Sequence, residues 1–67
     1  MDFGTRVIVD CTGTVTHRLS LRVDGTVEVI DARGNRAILE ARLRTCLTPG
    51  VRVAPHVMDA AVSLISP

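Results

Sequence analysis

The stretch "SLRVDGTVEVIDARGNRAILEARLR" (Ser20–Arg44) decides the fold, because its last third supports two structures. Asp24–Gly25 stands between alternating segments, the pattern of a tight hairpin. Two registers compete there. A two-residue Asp24–Gly25 loop sets Leu21 opposite Glu28. A three-residue Asp24–Gly25–Thr26 loop sets Val23 opposite Val27, Leu21 opposite Val29 and Arg22 opposite Glu28. Register follows the hydrophobic pattern, which selects the three-residue loop.

The next turn is "DARGNR", where Gly34–Asn35 tolerates positive φ and Asp31 can bond the turn's own backbone. If it closes a second hairpin, "RAILEARLR" is a strand. Ala37, Leu39, Ala41 and Leu43 then point inward. Arg36, Glu40, Arg42 and Arg44 point outward, with Ile38 as the exception. The helical alternative has Asn35 as cap, a stripe of Leu39, Leu43, Cys46 and Leu47, and a Glu40–Arg44 pair. Propensity favours the helix and turn chemistry the strand. We take the strand, because sequential strands joined by tight turns usually pair.

Working outward, "GTRVIVD" (Gly4–Asp10) has the adjacent β-branched residues of a strand. "CTGT" around Gly13 reads as a turn or a bulge. "VTHRLSLRV" alternates: Val15, His17, Leu19, Leu21 and Val23 share one face, and Thr16, Arg18, Ser20 and Arg22 the other. Pro49–Gly50 is a type II turn signal. In "PHVMDAAVSLI", Pro55 suits a first helical position, and Val57, Ala61, Leu64 and Ile65 form a helical stripe. The expected fold is α+β and mainly β: one domain over residues 1–67, an antiparallel meander of about four strands with a short C-terminal helix. The alternatives are a small all-β barrel, or three strands followed by two helices.

A chain of 67 residues has a thin stability margin. Hydrophobic residues make up 46% of it, and Phe3 is the single aromatic. So much aliphatic side chain exceeds what so short a polymer can enclose, and we expect a homo-oligomer. All eight basic residues are arginine. Their fork geometry suits carboxylate or phosphate. The net charge of +1 lacks the basic excess of a non-specific nucleic-acid binder. The N-terminal "MDFGTRVIVD" has no basic region before a long apolar run, and no run approaches the roughly 20 residues of a membrane span. The expectation is a cytoplasmic protein.

Catalysis finds no supply of residues: the carboxylates are scattered, and Asp24 and Asp31 belong to turns. We expect no enzyme, no cofactor and no metal. A zinc site on Cys11, His17, Cys46 and His56 would lack the close-spaced ligand pairs of structural sites. Buried free cysteines are favoured over a Cys11–Cys46 disulfide. His17 reads as a half-buried, hydrogen-bonded strand histidine and His56 as exposed at a helix start. In the strand reading, Arg18 and Arg22 share a face with Arg42, Arg44 or both, and these four are the candidate interaction face. The leading function is a protein-interaction module of unknown partner. The rival is a DNA-binding regulator reading duplex through that arginine face. The plainest alternative has the arginines paired with Glu28 and Glu40 on a solvated surface.

Overall fold

A computed structural model describes residues 4–66. Five strands run β1 (Thr5–Val9), β2 (Val15–Leu21), β3 (Val27–Asp31), β4 (Arg36–Glu40) and β5 (Thr45–Cys46). A single 3₁₀ turn, Ala41–Leu43, separates β4 from β5, and helix α1 (Pro55–Ile65) follows. The strands pair antiparallel in sequence order, β1-β2-β3-β4-β5. The fold is the expected α+β meander with a C-terminal helix, and its sheet is open, not a closed barrel.

Three hairpin turns share one construction. In each, a glycine N–H donates to the carbonyl three residues back: Gly13 to Asp10, Gly25 to Arg22 and Gly34 to Asp31, all at 3.0 Å. The first residue then donates its own N–H to the carbonyl after the glycine: Asp10 to Thr14, Arg22 to Thr26 and Asp31 to Asn35. The glycines have φ of 85°, 89° and 88°. This is the three-residue hairpin loop with a left-handed residue at its third position. Carboxylates complete the turns. Asp10 Oδ1 accepts the backbone N–H groups of Thr12 and Thr14, and Asp31 Oδ1 those of Arg33 and Asn35. Asp24 Oδ1 accepts both the N–H and the hydroxyl of Thr26.

That construction corrects the register of the second hairpin. Its loop is Val23–Asp24–Gly25, and Leu21 faces Val27, Leu19 faces Val29 and Ser20 faces Glu28. The difference is two residues, so each strand residue keeps its expected face. Gly25 takes the third loop position, where left-handed backbone is needed, and this draws Val23 into the loop at 83% exposure.

A bulge corrects a second expectation. Ile8 pairs with His17, but Val9 pairs with Val15, leaving Thr16 as an extra residue. The Thr16 hydroxyl donates to the Ile8 carbonyl at 3.2 Å. Alternation breaks there, and Val15 joins Val9 on the face opposite Leu19.

The strand reading holds for Arg36–Glu40, with Ala37 and Leu39 buried and Ile38 on the other face. It fails beyond Glu40. The 3₁₀ turn keeps Ala41 in the core but turns Leu43 out to 73% exposure. Arg44 then adopts φ 51°, ψ 45°, and β5 returns along β4. The alternative helical stripe from Leu39 to Leu47 does not form.

Helix α1 starts with Pro55 at its first position, where the missing N–H costs nothing, and has no side-chain cap. Val57, Met58 and Ala61 pack on Leu19, Val27, Val29, Ala37, Leu39 and Ala41. Leu64 and Ile65 extend the contact. Each large aliphatic buried here contributes about 1.5–3 kcal/mol.

Two outcomes follow. Leu39, fully buried, when cut to alanine should lower unfolding free energy by about 2–5 kcal/mol in denaturant titrations. Val23→Ala, in the exposed loop, should leave it nearly unchanged. The second concerns acid. Side-chain bonds from Thr12 and Thr26 pull the carboxyls of Asp10 and Asp24 below the ordinary 3.8, and the Asn35 backbone does so for Asp31. A carboxyl depressed in the folded state stabilises above its unfolded pKa and loses that contribution as pH falls through the folded value. The thermal midpoint should therefore be flat near neutrality and drop below about pH 4. Asp31→Ala should lower the midpoint at neutral pH and flatten its acid dependence; an unchanged acid slope would refute the assignment.

Candidate interaction face

The sheet has two unlike faces. Directly opposed residues share a face, so the pairings sort the side chains. Helix α1 covers the face built on Ile8, Leu19, Leu21, Val27, Val29, Ala37 and Leu39. At its margins, Arg6 donates to the Ser63 hydroxyl and Arg44 to the Asp59 carboxylate. Among the described residues no helix covers the other face. Val7, Arg18, Ile30 and Arg36 line up across β1–β4 in one row, and Thr5, Ser20, Glu28 and Ile38 in the next. Leu47 continues the second row, its N–H bonded to the Ile38 carbonyl at 2.7 Å. Val9 and Val15 lie at the bulged end. The bulge borders a shallow depression of about 260 Å³ with Val15, Arg18 and Ile30 in its wall.

The four arginines expected together are dispersed. Arg18 is exposed on this open face, and Arg22 closes the second hairpin. Arg42 sits in the 3₁₀ turn, and Arg44 turns toward α1 to pair with Asp59. The strand ends before Arg42, so alternation no longer carries these two onto the face. Arg36 takes their place, two strands from Arg18 across Ile30. Strand alternation already put Arg36 outward; only the pairing register places it in Arg18's row.

Among the described residues the one ion pair is Arg44–Asp59, with both side chains more than half exposed, and such pairs contribute little. Arg18 and Arg36 pair with neither Glu28 nor Glu40.

A second feature lies between the sheet and the segment before α1. A cleft of about 130 Å³ is bordered by His17, Asp31, Asn35, Arg52 and Val53. His17 faces Asp31 across the strands and holds Thr16 Oγ1 at 2.9 Å through Nδ1. The His56 ring meets it edge-on, with 5.9 Å between centroids. His17 is half-buried and His56 exposed, as expected. The cleft is smaller than the several hundred Å³ of ordinary ligand pockets, and the Asp31 carboxylate is already engaged by its turn. No group of three potential metal ligands exists among the described residues. Cys11 lies in the β1–β2 turn and Cys46 on β5 at the far edge, so the Cys-His quartet does not converge.

Both cysteines are free, but neither is buried as expected: Cys11 is exposed in its turn and Cys46 on the edge strand is half-buried. A thiol reagent should modify two groups per chain, Cys11 rapidly and Cys46 more slowly until denaturant is added. Two equally slow groups would contradict the exposed placement of Cys11. Comparison with known proteins found no matching family model, no similar curated protein and no similar solved structure.

Proposed function

We propose that this chain is a small, non-enzymatic protein-interaction module of the cytoplasm that works as a homo-oligomer through the open face of its sheet. One observation carries the reading. The uncovered face presents Val7, Val9, Val15, Ile30, Ile38 and Leu47, with Val7 at 47%, Val9 at 52% and Leu47 at 53% exposure. A cluster of exposed aliphatic side chains interleaved with charges on a small domain fits the mixed surface of a protein contact site. No described helix is long and apolar enough to cross a membrane, so a lipid-spanning helix does not account for it.

The DNA-binding rival has weaker support. Arg18, Arg22 and Arg36 could meet phosphate, but Glu28 and Glu40 sit on the same face and would repel it. The chain has no Trp or Tyr to stack on bases.

Sedimentation velocity at micromolar to sub-millimolar concentration should give species larger than one 7.2 kDa chain. Ile38→Lys, at a half-buried site away from the core, should shift them to monomer while preserving the far-UV circular dichroism spectrum. A monomer at every concentration rejects the reading. Steeply salt-dependent binding to duplex DNA would favour the rival.

A further inference from the structure

Resting on that reading, we infer that the occupant of the open face is a second copy of this chain, docked about a twofold axis that pairs Arg36 of each copy with Glu28 of the other. The inference comes from four side chains. On the open face of β3 and β4, Ile30 stands opposite Arg36 and Glu28 opposite Ile38. These residues form a two-by-two checkerboard, with the isoleucines on one diagonal and the opposite charges on the other. Diagonal neighbours in an antiparallel pair lie about 7–8 Å apart. A twofold axis along the isoleucine diagonal brings Ile30 onto its own copy and Ile38 onto its own copy. The same rotation exchanges the charged corners, so Arg36 meets the second copy's Glu28 twice. An isologous interface requires this kind of self-complementarity.

Three observations favour a second copy over an unrelated partner. The patch is complementary to itself in both charge and shape class, apolar on apolar and cation on anion. Its charges are uncommitted among the described residues, where the one ion pair is Arg44–Asp59. Glu28, Ile30 and Ile38 are half-buried within the sheet face, so their backbones and side-chain stems are held in place for a second copy to meet. The apolar contact extends toward Leu47 beside Ile38. Axes oblique to the strands cross the two sheets steeply, which is the orthogonal class of sheet packing.

The test is reciprocal charge reversal read by sedimentation equilibrium, with thermal melts and circular dichroism confirming that each variant folds. Glu28→Arg and Arg36→Glu alone should each weaken self-association by about tenfold or more, because like charges then meet at both corners. The double variant Glu28→Arg/Arg36→Glu restores opposite charges and should recover most of the wild-type affinity. Mixing the two single variants should also recover it, since in the mixed pair two cations on the Glu28→Arg copy meet two anions on the Arg36→Glu copy and both corners carry opposite charges. If the wild type associates but the single reversals are neutral, or the double variant is as weak as the singles, the twofold arrangement is wrong while the interaction module stands. If the wild type stays monomeric, both fall. A variant that fails to fold is replaced by Glu28→Gln or Arg36→Gln, which should weaken association several-fold; no effect from either neutral variant overturns the pairing.

Discussion

One helix faces a sheet that has two sides. Helix α1 has eleven residues and buries only Val57, Met58 and Ala61 deeply, enough to close the face that carries Leu19, Val27 and Leu39. Nothing in the described chain remains to close the other. The hydrophobic effect holds the first face together and leaves the second in contact with water. The polar ties at the helix margins, Arg6 to Ser63 and Arg44 to Asp59, are exposed and weak, so they orient the helix more than they hold it.

The sheet itself is built from one repeated local solution. Each of the first three connections puts a glycine at the left-handed position and a carboxylate within reach of the turn's N–H groups. The aspartate sits at the first turn position in two cases and just before the glycine in the third. Either placement satisfies donors that would otherwise face only water, and both hold the adjacent strands in register. The fourth connection departs from this pattern. It has no glycine, and the chain instead uses a 3₁₀ turn with Arg44 in left-handed backbone. That strain is tolerated where Arg44 also gains its partner on α1.

The open face mixes aliphatic and charged residues, and this mixture shapes the functional reading. An arginine row alone would suit phosphate. Interleaving Arg18 and Arg36 with Glu28 and Glu40 suits a surface that also carries both signs. The sparse aromatic content points the same way, since stacking on bases has no platform while aliphatic packing against protein has several.

Much of this was legible from residue order. Alternation marked β2, β3 and β4, Asp-Gly and Gly-Asn marked turns, Pro55 marked the helix start, and His17 was placed half-buried on its strand. Those features are local: period-two patterning assigns a face, and turn chemistry needs only four or five residues. The sequence tipped the strand-or-helix choice after Arg36 only slightly toward strand, because both patterns fit the same side chains. The hydrophobic pattern could not see the two-residue register of the second hairpin, since a shift of two preserves every face; the left-handed loop position that Gly25 fills set it. Tertiary structure decided the Thr16 bulge that moves Val15 to the open face, and the break at Ala41 that removes Arg42 and Arg44 from it and leaves Arg36 there. These depend on where the helix, distant in sequence, settles on the sheet, and on which side chains that contact leaves in water.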